Sequence, residues 1–205
     1  APKVEYESSG LGMDTHQEFH FLAELSFLGD AIDSHALALR KLSVVWEEAD
    51  DQLVTHEPIP HTQPDLADWW AKSDERTARL MNAVLAKRGA QFEFFVTVEA
   101  LLAALTRMSL ILFPVARSSH SRGEHLRTLL AVDESHAIGS RELRNWWHHF
   151  DERLLDEYRG WSAANTVAQR FVRSTRPTEI HRKTSMRLFI VDTRQVIIAG
   201  THEFA

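Results

Sequence analysis

Residues 141–158, RELRNWWHHFDERLLDEY, gather side chains that can hold a phosphate and move a proton. At about 100° per residue along a helix, Leu143, Trp146, Trp147, Phe150, Leu154 and Tyr158 share one apolar face that must bury. Asn145, His149, Glu152 and Asp156 fall on the opposite face, and Arg144 and His148, one turn apart, lie at the border. Arg144, Asn145, His148 and His149 therefore cluster near the helix start, an end that favours anions. Histidine shuttles a proton near neutral pH, and arginine holds a phosphate in a planar, bidentate grip. Together they are sufficient for metal-independent RNA cleavage, in which the 2′-hydroxyl of the RNA is the nucleophile.

Arg144-Asn145-Trp146-Trp147-His148-His149 resembles the R-x4–6-H motif of the HEPN superfamily, with Asn145 as the polar residue that often follows the arginine. Two further pairs, Arg141/His148 and Arg176/His181, also match the R-x4–6-H pattern. Context supports Arg144/His149: a strongly amphipathic helix late in a helical chain, Asn145 in place, and the motif on the polar face. The resemblance covers roughly residues 14–160 and implies an all-α fold, a helical bundle that is commonly dimeric. It implies a metal-independent endoribonuclease, RNA as partner and, for toxin members, an antitoxin protein. The catalytic set implied is Arg144, Asn145, His149 and His148, with neither cofactor nor metal. The expected chain is one HEPN-like domain, 1–205, forming a homodimer in which the motif helices face each other.

Other roles fit the same residues. Arg144 could pair with Glu142 or Asp151 on a solvated face, and His149 could be a plain exposed histidine. A HEPN-like bundle without catalysis, acting as an interaction or RNA-binding module, is the alternative function. Trp146 and Trp147 belong to the apolar stripe and read as core, and Trp69-Trp70 reads the same way. His16 and His20 have the i, i+4 spacing of two metal ligands on one helix face, but no Glu-x-x-His motif accompanies them. Glu99 sits in the most apolar stretch and needs a partner if buried, Arg144 being one candidate.

The elements that must position the motif are helical. A loose arm, 1–13, precedes an apolar pattern running from 14 to about 54, interrupted at Gly29-Asp30, as one helix or two. Three prolines, Pro58, Pro60 and Pro64, mark a loop. A helix is predicted over 65–87, closing at Arg88-Gly89, then a core helix over 90–113 stopped by Pro114. A polar loop over 118–123, a short helix over 124–132 and the motif helix from Ser140 follow. The stretch after Gly160 is moderately helical or irregular. The β-branched runs at 186–191 and 196–199 then predict a terminal β-hairpin within 186–201. The fold class expected is all-α: an up-and-down bundle of four to six helices with this hairpin appended.

Composition bounds the chemistry. The 205 residues are 44% hydrophobic and 25% charged, ordinary for a globular chain with ample surface to bury. With no cysteine, thiolate nucleophiles, disulfides and cysteine-ligated zinc are excluded. No signal-peptide core or run of about 20 apolar residues is apparent, so a cytoplasmic address and no membrane contact are expected. A net charge of −6 argues against nonspecific coating of nucleic acid, so any RNA contact must be local. Glycine-rich phosphate loops, G-x-S-x-G elbows and H-E-x-x-H helices are missing from the sequence.

Overall fold

A computed structural model describes residues 13–54, 62–140, 167–172, 185–190, 195–198 and 202–204. They are predominantly helical: α1 (Thr15–Val54), α2 (Gln63–Ala71), α3 (Ser73–Leu112) and α4 (His120–Leu129). Single 3-10 turns lie at Arg117–Ser119 and Ala137–Gly139. The helix predicted from Ser140 falls outside the described residues.

The first helical stretch is one helix. Asp14 caps it, its Oδ1 accepting from the Gln17 backbone N–H at 2.8 Å. Gly29 does not interrupt it, because a helical glycine costs only about 1 kcal/mol and the buried positions Leu25 and Leu28 just before it keep helical spacing. The stop predicted at Arg88-Gly89 is likewise incorrect. The chain breaks instead at Lys72, between α2 and α3, where Asp74 and Glu75 place negative charge in the first turn of α3. Across Gly89 the buried residues Ala83, Ala90, Phe94 and Val98 stay on one helical face, so burial carries the helix through. Pro114 does end it, as the missing N–H requires.

The chain divides into two compact units. The first comprises Ala1–Ser34 and Ala100–Phe150, and the second His35–Glu99 and Asp151–Ala205. In the first unit Leu25, Leu112 and Leu126 form a buried centre, with Phe21, Leu22, Met108, Ile111, Phe113 and Ile138 packed around it. The loop predicted at 118–123 is instead a 3-10 turn and the start of α4. Gly123 explains this, since a Cβ there would press on Pro114 Cδ and lie 2.8 Å from the Leu112 carbonyl oxygen. Glycine lets α4 start early and lie against the end of α3. After α4, Ala131 adopts a left-handed φ of 53°, a position glycine normally fills.

In the second unit a four-stranded sheet is ordered β1 (Val167–Val172), β2 (Ser185–Ile190), β3 (Gln195–Ile198), β4 (His202–Phe204). β1 and β2 are parallel, and the remaining neighbours are antiparallel. The sheet is therefore larger than a hairpin. β1 falls where the sequence reads as moderately helical or irregular, because VAQRFV is too short to reveal a period without its partner strand. Phe171 pairs with Phe189 across β1 and β2, and both are buried. They meet Phe94 at ring-centroid distances of 4.9 and 4.3 Å. Phe95 and Trp46 complete the cluster, 5.6 and 5.1 Å from Phe171. Lys87 spans from α3 to Asp50 of α1 at 2.5 Å and lies over the Trp46 ring.

One expectation about exposure changes. Trp70 is not core but 61% exposed. Adjacent residues on a helix point about 100° apart, and it is Trp69 that is half-buried, beneath the Arg76 guanidinium. α3 also contains an 18-residue apolar window long and apolar enough, by length and composition only, to cross a membrane, and 39% of it is buried within the protein. Glu99 and Arg107 punctuate this window.

Four substitutions test this account of the fold by urea-induced unfolding. Gly89→Ala has open space around its Cβ and should stabilise by about 0.5–1 kcal/mol. Ala131→Gly should stabilise by a similar amount, about 0.5–1 kcal/mol, through the relieved left-handed strain. Gly123→Ala should destabilise by more than about 1 kcal/mol. Phe94→Ala, which removes the ring shared by both strand phenylalanines, should cost about 3–5 kcal/mol.

Candidate functional site

Arg144, Asn145, His148 and His149 lie within residues 141–166, outside the described residues. What is described is the frame leading to them: α4, its flanking turns and the chain up to Ser140. Asp133 opens this final turn. Its carboxylate accepts from Ser135 Oγ at 2.6 Å and from the Ser135 backbone N–H at 2.7 Å. These bonds, the hydroxyl first, hold the Asp133 carboxyl below its ordinary pKa, with nearby His136 adding to the effect. His136 Nδ1 in turn accepts from the Ile138 N–H at 3.3 Å. Gly139 passes over the Phe113 ring, where a Cβ would come within 2.9 Å.

Two arginines of α4 differ in how they are used. The Arg127 side chain is only 12% exposed. Its Nη1 donates to the Leu112 carbonyl at 2.6 Å, its Nη2 lies 3.5 Å from Glu134 Oε1, and the guanidinium covers the Phe113 ring. It thereby caps the C-terminal, negative end of α3. A cavity of about 340 Å³ beside it is lined in part by His120, Glu124 and Glu134. Those carboxylates make the cavity a poor place for an anion.

Arg122, by contrast, makes no hydrogen bond or ion pair to any described residue. Its guanidinium carbon sits 4.6 Å from the Phe21 ring centroid, and its Nε is buried without a partner. It lines a second cavity, about 560 Å³, with Ser118, Ser119, Ser121, Gln17 and His125. Ser119 precedes α4 but its side chain makes no capping bond. His125 is held by Glu18 Oε2 at 2.8 Å. A guanidinium among uncommitted hydroxyls is chemistry suited to a phosphate or carboxylate. Sequence reasoning passed over these residues as a polar loop. The available signal was Ser118-Ser119-His120-Ser121-Arg122 opening an amphipathic helix.

The remaining candidates resolve as follows. Glu99 is half-buried and engaged, and its suggested partner Arg144 lies outside the described residues. His16 and His20 do come together, with Nε2 atoms 3.1 Å apart. Among the described residues no group of three or more His, Asp or Glu could hold a metal ion. No protein family, curated protein or solved structure matches this chain.

The two arginines can be separated by thermal or urea unfolding. Arg127→Met keeps the aliphatic stem over Phe113 but loses the carbonyl bond, and should cost about 1.5–3 kcal/mol. Arg122→Met removes a buried donor that has no partner among the described residues, and should change stability by less than about 0.5 kcal/mol in the destabilising direction.

Proposed function

We propose that this chain is a HEPN-type, metal-independent endoribonuclease acting as a homodimer. The observation that carries it is the Arg144-Asn145-x-x-His148-His149 arrangement on the polar side of a strongly amphipathic helix. The predominantly helical character of the described residues is compatible with it. On this proposal the helices, with residues 141–158 as a further one, form an up-and-down bundle. The β2–β3 pair lies outside its common core.

In the proposed reaction the RNA 2′-hydroxyl attacks the neighbouring phosphorus and the 5′-oxygen leaves. His149 accepts or supplies the proton, and His148 is a second protonatable ring at the border of the same face. Arg144 holds the phosphate and offsets charge as it accumulates, while Asn145 positions it. The products are a 2′,3′-cyclic phosphate and a 5′-hydroxyl. RNA is the substrate, the cytoplasm the proposed compartment, and an antitoxin the proposed protein partner. The 560 Å³ cavity beside Arg122 offers further anion-binding surface in the first unit.

One observation favours the non-catalytic alternative, an interaction or RNA-binding module. Asp151, Glu152, Asp156 and Glu157 follow the motif at once, and their charge opposes a phosphate backbone.

Incubating the purified chain with a labelled RNA pool in EDTA decides between them. Native protein should leave cyclic-phosphate ends. Arg144→Ala and His149→Ala should each lower the rate by about 10²–10⁴-fold, with the helical circular-dichroism signal unchanged. Cleavage that survives both substitutions excludes this site. RNA retention without cleavage, equal in the native and variant proteins, supports the binding module.

A further inference from the structure

His16 and His20 stand one turn apart near the start of α1, and both are exposed. Their Nε2 atoms are 3.1 Å apart, with ring centroids at 4.4 Å and planes inclined by 77°. That separation fits a hydrogen bond in which one imidazole donates and the other accepts. It also fits two neighbouring ligands of one metal ion. With metal–nitrogen bonds of about 2.0–2.1 Å, a 3.1 Å gap subtends an angle of roughly 95–102° at the metal. This lies between the cis angle of square-planar or octahedral sites, about 90°, and the tetrahedral angle of about 109°.

We infer that His16 and His20 form a two-nitrogen clamp for a late first-row divalent transition metal, Cu²⁺, Ni²⁺ or Zn²⁺, with water completing the coordination shell. The helix supplies the preorganisation: residues four apart are surface neighbours, so only side-chain torsions need to be fixed on binding. Both Nε2 lone pairs must face the metal. The ring now donating through Nε2 therefore carries its proton on Nδ1 instead, a change of tautomer with no net release of a proton. Among the described residues the rings have room to turn, because the neighbouring Phe19 is 66% exposed and meets His20 only edge-on at 6.0 Å.

The nearby carboxylates among the described residues are committed elsewhere. Glu24, one turn beyond His20, pairs with Arg107 at 2.8 Å, and Glu18 pairs with His125 at 2.8 Å. Among the described residues the donor set is therefore imidazole alone, which suits copper, nickel and zinc and not magnesium or calcium. This clamp is independent of the ribonuclease proposal, whose test runs in EDTA.

The test is titration of the intact, metal-stripped protein with Cu²⁺, Ni²⁺, Zn²⁺ or Mg²⁺ by calorimetry, with electron paramagnetic resonance on the copper form. Copper should bind tightest, at one equivalent, and magnesium should give no heat. His16→Ala and His20→Ala should each weaken copper at this site at least about tenfold and remove one nitrogen coupling from its spectrum. His35→Ala should leave affinity and spectrum unchanged, and helical content should be the same in the His16 and His20 variants because both rings are exposed. Copper affinity in either single variant equal to that of native protein overturns the clamp. So does a native copper spectrum that shows coupling to one nitrogen alone.

Discussion

The second unit depends on an aromatic contact between elements far apart in sequence. Phe94 of α3 meets Phe171 of β1 and Phe189 of β2, with Phe95 and Trp46 closing the cluster. β1 and β2 are short, and the pair is parallel, so neither a tight turn nor strand length holds them together. Burying Phe171 and Phe189 against the α3 rings supplies the free energy that the strand ladder alone lacks. Lys87 reinforces the same seam from the helix side. It covers the Trp46 ring and pairs with Asp50, an ion pair sheltered enough for its attraction to exceed that of an exposed one.

The first unit is organised differently, around close contacts at the end of α3. Gly123 permits α4 to lie against Pro114 and the Leu112 carbonyl, and Leu126 then reaches the centre formed with Leu25 and Leu112. Arg127 satisfies that exposed helix end while its stem covers Phe113. An arginine used in this way is structural. Arg122, five residues earlier, stacks on Phe21 and faces open volume among serines. The two have the same side chain and the same helix, yet only their neighbours distinguish a capping group from one free to meet an anion.

The helices were legible in the sequence wherever burial and period agreed. The apolar pattern of α1 and the stop at Pro114 are examples. Boundaries that rest on single glycines were not legible. Gly29 and Gly89 both look like stops, but each lies inside a helix whose buried positions continue on either side. Gly123 looks like part of a loop, yet it is what allows a helix. A glycine code is ambiguous because it signals backbone permission, and whether that permission is used for a turn, a close approach or nothing depends on neighbours. The candidate chemistry divides in the same way. The Arg144/His149 motif was visible as local spacing in the sequence, whereas the Arg122 cavity needed α4 to start at His120 before its serines faced one volume.

By itself, then, the sequence determined what can be encoded locally. It set the helical period, the amphipathic faces, the proline stop, the exclusion of thiol chemistry and the i, i+4 spacing of His16 and His20. Tertiary structure alone decided which of two adjacent tryptophans is exposed, and it alone assembled β1 with β2. It also decided which arginine is tied to a helix end. These outcomes depend on contacts between residues distant in the chain, whose energies no local pattern contains.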